Sequence, residues 1–332
     1  MKRMKSGNGS IKSRGKGKGR RWLWISLSVI VLLAVGSVGV AGYFYWSVKE
    51  TASEIYQPLP SDRPRYVSSD KDVPAAAAPV ETEKLNPFSV LLLGVDERQN
   101  DRGRSDTIMV MTVNPASKKV FMFNIPRDTR TELALRGTED KINHAYAYNG
   151  IEGSLATVEK FIDMPIDYYV EVNMEGFKLI VDTLDGVNVD NPFEFDYEGE
   201  TFPEGLQHLN GDQALKFSRM RYDDPRGDFG RNDRQKQVVQ DVIRRATKWT
   251  NTSSLPSILH AIGDHVRTNL AFGELQDLVL KYRKNLNDIE STFVQGQGTM
   301  IGGIYYYIVD QTERDRIHEA MKQQLLTNFT EG

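Results

Sequence analysis

Phe88-Ser89-Val90-Leu91-Leu92-Leu93-Gly94-Val95, Thr107-Ile108-Met109-Val110-Met111-Thr112-Val113 and Val120-Phe121-Met122-Phe123-Asn124-Ile125 are three apolar runs of strand length, the last two joined by the turn composition Asn114-Pro115-Ala116-Ser117. Runs this continuous predict a sheet covered on both faces. Paired as an up-down-up meander, the first strand ends at Asp96, the second begins at Asp106 and the third ends at Arg127. All three residues then share one sheet edge. The loops there read Gly94-Val95-Asp96-Glu97-Arg98, Gly103-Arg104-Ser105-Asp106-Thr107 and Pro126-Arg127-Asp128-Thr129, so aspartates and arginines converge on a small volume. One such pair on a surface contributes little. The convergence is the signal.

Apolar spacing predicts helices at about 151–163, 174–184, 211–220, 231–248, 254–267, 273–285 and 310–326, with strands at 167–173, 291–295 and 304–309. Strands flanked by helices place the chain in the α/β class, as an α-β-α sandwich with helices on both faces of the sheet. In the long helix Val238, Val239, Val242, Ile243 and Ala246 form an apolar stripe that traces back to Gln235 and Arg231.

An arginine at the core-facing start of a helix requires an anion, because a buried unpaired charge costs several kcal/mol, and the helix N-terminus offers N–H groups to the same anion. Ser218-Arg219-Met220-Arg221 brings two more guanidinium groups. Five or six arginines exceed what a carboxylate pair needs, whereas a diphosphate would use them through bidentate forks. Two aspartates beside a diphosphate call for a divalent cation between them. Mg²⁺ suits that role, and Ca²⁺ or Mn²⁺ fits the same ligand type. The chemistry so implied is diphosphate cleavage or phosphoryl transfer, driven by positioning and charge neutralisation.

Upstream, nine lysines and arginines and no acid precede a run without charge from Trp22 to Val48. As a helix the run is about 40 Å long, against about 30 Å of bilayer hydrocarbon. It reads as a transmembrane helix over 22–48 behind a basic cytoplasmic tail at 1–21, with everything beyond it outside the cell. A cleaved signal peptide is the rival, but its apolar region is shorter and ends in small residues, whereas this one ends in Tyr43-Phe44-Tyr45-Trp46. The proline- and alanine-rich stretch 49–86 reads as a semi-extended linker, and 87–332 as the folded domain. Beyond Lys49, 32 Lys and Arg face 45 acids, a net charge of −13 for the exported part. Such an acidic domain has no basic face for nucleic acid. The absence of cysteine excludes disulfides and thiolate chemistry and fits a bacterial surface.

Leu91-Leu92-Leu93-Gly94-Val95-Asp96-Glu97-Arg98, Gly103-Arg104-Ser105-Asp106-Thr107, Ile125-Pro126-Arg127-Asp128-Thr129, Lys141-Ile142-Asn143-His144-Ala145, Ser218-Arg219-Met220-Arg221 and Asp228-Phe229-Gly230-Arg231-Asn232-Asp233-Arg234-Gln235 occur in this order, and together they resemble the LytR-CpsA-Psr family. Gly298-Thr299-Met300-Ile301-Gly302-Gly303-Ile304-Tyr305-Tyr306-Tyr307 is similar to its LytR-like, teichoic-acid-transferase branch. The resemblance implies a mixed central sheet and an extracellular, single-pass (type II) membrane-anchored phosphotransferase of a Gram-positive-type bacterium. Its donor would be an anionic glycan on an undecaprenyl-diphosphate carrier, and its acceptor a sugar hydroxyl of peptidoglycan. By the family pattern Asp96 and Asp106 would hold Mg²⁺, Arg98, Arg104, Arg127, Arg219, Arg221, Arg231 and Gln235 would face the diphosphate, and Asp96, Arg127 and Arg231 would be catalytic. A hydrophobic tunnel would house the lipid. Phe177, Leu179, Ile180, Val238 and Val242 are candidates for its lining, with ordinary core the first reading for them. His144 reads as a packing residue before a proton carrier. Two other readings stay open: a lipid diphosphatase, in which water replaces the sugar hydroxyl, and a non-enzymatic envelope sensor or attenuator.

Overall fold

The computed structural model describes residues 49, 53–73, 86–96, 103–248, 262–278 and 288–326. The predicted tail at 1–21 and span at 22–48 lie outside the described residues, as do most of the helix expected over 254–267 and part of that over 273–285. Among the described residues no helix is long and apolar enough to cross a membrane.

In chain order the elements are β1 (Phe88–Val95), β2 (Ser105–Asn114), β3 (Lys119–Asn124), β4 (Arg130–Leu133), β5 (Thr138–Lys141), α1 (His144–Ile162), β6 (Tyr168–Asn173), α2 (Met174–Thr183), β7 (Val187–Asn191), β8 (Phe195–Tyr197), β9 (Glu200–Phe202), β10 (Gly205–Leu209), α3 (Gly211–Arg219), α4 (Asp228–Lys248), β11 (Val266–Thr268), α5 (Phe272–Asp277), β12 (Asp288–Phe293), β13 (Gln297–Ile301), β14 (Ile304–Ile308) and α6 (Gln311–Leu326). Six strands make the central sheet, in the order β11-β6-β1-β2-β3-β12. The meander of β1, β2 and β3 is antiparallel as expected, while β6 joins β1, and β12 joins β3, in parallel. The sheet is therefore mixed.

Period-two alternation sends the strands' side chains to two cores. Leu91, Leu93 and Val95 pack with Leu155 and Val158 of α1 and with Ile317 and Met321 of α6. Val90 and Leu92 face the other layer, where Val172, Phe177, Ile180 and Leu270 gather. A third cluster joins Val181, Val187, Phe195, Phe202, Phe217 and Val238, so that α2, α3 and α4 share one core with the small strands β7 to β9.

Several features depart from the sequence reading. Val266–Thr268, at the end of an expected helix, is strand β11. The long helix begins at Asp228, three residues earlier than expected, and its far end turns outward, with Ala246 exposed. The strand expected at 304–309 is β14, which pairs with β13 in a separate hairpin and not with the central sheet. The segment 49–86, expected as a linker, is docked over its described part. Ile55 packs with Val172 and Val266, Tyr56 bridges to Thr268, and Val73 joins the core under α1 and α6. Between these points Arg63 pairs with Glu159, Tyr66 Oη donates to Asp163 Oδ1 at 2.7 Å, and the Ser69 N–H donates to the same oxygen at 3.0 Å. Asp70 accepts from Lys322 Nζ at 2.5 Å and lies 3.2 Å from His318 Nε2.

The polar anchors reach side chains remote in the chain, Tyr66 to Asp163 across 97 positions and Asp70 to Lys322 across 252. Removing two side-chain donors to Asp163 at once, the Tyr66 hydroxyl and the Ser69 hydroxyl that donates to Oδ2, as Tyr66→Phe with Ser69→Ala, should loosen the strap without unfolding the domain. Each bond contributes about 1 kcal/mol, so tryptic cleavage after Arg65 and Lys71 should speed up by about tenfold or more while the melting midpoint falls by only a few degrees.

Candidate active site

Asp96 stands one residue beyond β1, where its N–H donates to the Arg104 carbonyl at 3.2 Å. The β1–β2 register slips here: Gly94 faces Thr107, but Val95 faces Ser105. Asp106 is the extra residue of this bulge, a device that turns a side chain out of the ladder. Arg127, just past β3, donates from Nη1 to Asp106 Oδ1 at 2.6 Å. Asp96, Asp106 and Arg127 line one cavity of about 320 Å³, and Arg219, Arg221, Arg231 and Gln235 line it with them. The rest of its wall is apolar: Leu92 and Val172 from the sheet, Phe177 and Ile180 from α2, Val239 and Val242 from α4. The cavity is thus charged at the strand ends and greasy between the sheet and the helices. Of the predicted lipid contacts, Phe177, Ile180 and Val242 line it, whereas Val238 is fully buried core.

Arg231 sits deepest among these guanidinium groups, at 5% exposure. Its Nη2 lies 2.7 Å from Asp228 Oδ1, yet neither Nε nor Nη2 has a hydrogen-bond partner of proper geometry. Burial pulls its pKa below the ordinary arginine value, the Asp228 carboxylate resists, and the Arg127 and Arg221 charges add to the fall. Arg127 goes the other way: burial acts against its charge, but Asp106, Asp228 and Asp128 together raise its pKa. Arginine stays protonated in either case. Burial and the neighbouring Arg127 and Arg221 charges leave Arg231 the least compensated of these groups, and an incoming anion would relieve it. The Arg231 N–H is already donated to the Gly227 carbonyl at 3.2 Å, so the expected help from a free helix end is absent at this residue and the side chain does the work. Gln235, one turn on, is oriented by Asn124, whose Nδ2 donates to Gln235 Oε1 at 3.3 Å. Asp96 and Asp106 are hard oxygen donors on the same wall, and Asp106 keeps 41% of its side chain exposed beyond its bond to Arg127. That donor set suits Mg²⁺.

The supports of the cluster escaped the sequence reading. Arg234, at 1% exposure, is buried beneath the loop that follows α3. Its Nε donates to the Phe217 carbonyl at 3.0 Å, Nη2 to the Met220 carbonyl at 2.6 Å, and Nη1 to the Asp224 carboxylate at 2.5 Å. Gly230 explains why Asp224 fits: a Cβ on residue 230 would collide with that carboxylate. The motif Asp228-Phe229-Gly230-Arg231 therefore contains a buttress as well as a ligand. Two predicted residues stand apart. Arg98 lies outside the described residues, and Arg104 is exposed and not part of the cavity wall. His144 lies 2.7 Å from Asp140 Oδ2 and stacks edge-on against Tyr148, away from the cavity, which fits packing.

Residues 42–323 match the LytR_cpsA_psr family. The chain is 44% identical over 295 residues to the polyisoprenyl-teichoic acid–peptidoglycan teichoic acid transferase TagU of Halalkalibacterium halodurans, covering 88% of this chain and 94% of that protein. Among solved structures it resembles Bacillus subtilis TagU, at 41% identity and a TM-score of 0.60 over 73% of this chain and 98% of that one. It also resembles TagT bound to LI-WTA, at 28% identity and a TM-score of 0.64 over 78% of this chain and 96% of that one.

Arg234→Met should leave Asp224 charged and buried without its partner. Losing one member of a buried pair costs about 3–5 kcal/mol, so the melting midpoint should drop by roughly 10 °C in calorimetry. Gly230→Ala should have a similar effect by displacing the same carboxylate.

Proposed function

Because this chain belongs to the LytR-CpsA-Psr family, we propose that it is a teichoic acid transferase. It takes an anionic glycan from an undecaprenyl-diphosphate carrier and joins it through a phosphodiester to a sugar hydroxyl of peptidoglycan, in building the cell wall. The observation that carries this reading is Arg231, a buried guanidinium with unsatisfied N–H groups at the charged end of a cavity whose other end is apolar. A polyprenyl diphosphate has the complementary shape: two phosphates on a long hydrocarbon.

In this reading the lipid runs between the sheet, α2 and α4, while Arg127, Arg219, Arg221, Arg231 and Gln235 hold the diphosphate. The acceptor oxygen attacks the glycan-bearing phosphorus and a new P–O bond forms. The bridging P–O bond breaks, and its electron pair leaves with polyprenyl phosphate. Arginine N–H groups stabilise the charge that builds on the phosphoryl oxygens, where fixed donors matter most. Asp96 and Asp106 would hold Mg²⁺, or Mn²⁺, which when bound offsets phosphate charge. Asp96, on the same wall of the cavity, would take the hydroxyl proton. An uncleaved anchor at 22–48 would keep the domain outside the cell as a single-pass membrane protein, next to its lipid-linked donor.

Full-length protein in detergent, given polyprenyl-diphosphate-linked glycan, teichoic-acid-free peptidoglycan and Mg²⁺, should release polyprenyl phosphate and form the linkage. Arg127→Ala and Arg231→Ala should each cut kcat/KM by about 10- to 100-fold, as befits a hydrogen bond to a charged group of about 1.5–3 kcal/mol, with the melting midpoint nearly unchanged. Val242→Asp, in the apolar wall, should raise the KM for the lipid donor. Free glycan phosphate as the main product in the presence of acceptor would make the protein a hydrolase instead.

A further inference from the structure

The hairpin of β13 and β14 has no place in the mechanism above. From Ser291 to Val309 the chain carries no charge, and Met300, Ile301, Ile304 and Tyr305 are all exposed at its end. Gly302 and Gly303 both have positive φ, the requirement of a tight hairpin turn, so the tip is defined. The base is fastened. The Tyr307 N–H donates to the Asp128 carbonyl at 2.9 Å, Tyr307 Oη to the Val294 carbonyl at 3.2 Å, and the Tyr306 ring lies under Arg130 and Lys141.

The register pairs Gly298 with Tyr307 and Met300 with Tyr305, which puts these four residues on one face. On that face the Tyr305 ring lies across Gly298: a Cβ added there would stand 2.8 Å from Tyr305 Cε2. Glycine is what lets the ring lie flat along the hairpin with 43% of the residue exposed. Next to it Tyr307 meets Phe229 edge-on, with centroids 5.6 Å apart, and Phe229 is half-exposed two residues before Arg231. The Tyr305 hydroxyl is raised in pKa first by burial, then by the carboxylates of Asp128 and Asp228, with Arg221 opposing. Through the Tyr307–Phe229 contact this face of the hairpin adjoins the start of α4, which carries Arg231.

We propose that the Met300–Tyr305 face of this hairpin is the platform on which the acceptor glycan strand stacks. Sugar rings present apolar C–H faces that lie on flat aromatic rings, and a chargeless surface beside an arginine cluster takes a neutral sugar and not a second anion. A bilayer is the competing occupant of an apolar tip. Against it, the chain from residue 53 meets the domain at the β11 edge of the sheet, through Ile55 and Tyr56, whereas the hairpin follows β12 at the opposite edge. The platform rests on the acceptor being a glycan, as argued above, but its test does not need turnover.

Co-sedimentation of the full-length protein with teichoic-acid-free peptidoglycan gives the first readout. Tyr305→Ala should weaken binding by about five- to tenfold and raise the acceptor KM to match, with donor KM unchanged, while Tyr305→Phe keeps the ring and behaves as wild type. The chain has no cysteine, so Met300→Cys provides a single position for an environment-sensitive dye. In protein reconstituted into phospholipid vesicles, the dye should shift to the blue only when peptidoglycan is added. A blue shift in vesicles alone, or Tyr305→Ala binding peptidoglycan as tightly as wild type, overturns the platform. Tyr305-dependent binding without any transfer by the wild type would sink the proposed activity and leave the platform standing.

Discussion

The buried pair of Arg234 and Asp224 is the contact on which the geometry of the arginine cluster depends. A charge at 1% exposure is tolerable only because every side of the guanidinium is answered: by a carboxylate, by two carbonyls at the end of α3, and by the faces of Phe195 and Phe217. The carbonyls belong to Phe217 and Met220, which bracket Arg219, and Asp224 closes the loop that carries Arg221. One residue on α4 thus dictates where the end of α3 goes. Three residues before it on the same helix stands Arg231, so both halves of the arginine set are referred to a single rigid element.

The charges that this scaffold brings together repel one another. Without ligand they are held by borrowed carboxylates: Asp106 on Arg127, Asp228 between Arg221 and Arg231, and Glu198 on Arg219. The diphosphate proposed above would offer more negative charge than any one of these and a better match to planar forks, exchanging imperfect internal pairs for stronger external ones. The unsatisfied N–H groups of Arg231 mark where that exchange begins.

The parts of the fold that were legible in the sequence are those whose signal is local. β1, β2 and β3 are largely apolar runs of strand length, and α2 and α4 show clear apolar stripes. The hairpin of β4 and β5, Arg130–Leu133 with Thr138–Lys141, is mostly charged and gives no alternation to read. The strap over 53–73 was missed for another reason. Its prolines and polar residues look like a spacer, and what docks it, Glu159, Asp163 and Lys322, is remote in the chain. In the site, Asp96, Asp106, Arg127, Arg219, Arg221, Arg231 and Gln235 could be gathered from strand ends and helix phase. The bulge at Asp106, the wedge at Gly230 and the role of Arg234 could not, because each is defined by a backbone register or a close approach that residue type does not encode.

The sheet's own order has a consequence for how the molecule comes into being. β3 lies open on one side until β12 arrives, and the Lys119–Glu290 pair that spans this seam links residues 171 positions apart. A parallel edge closed by so distant a partner is slow to form, since the loop must close before any contact rewards it. Until then Val120 to Phe123 present an apolar edge strand, a template for pairing with other chains. With no cysteine, no disulfide can lock an early intermediate. Completion of folding, and with it the assembly of the hairpin that follows β12, is therefore postponed to the last fifth of the polypeptide.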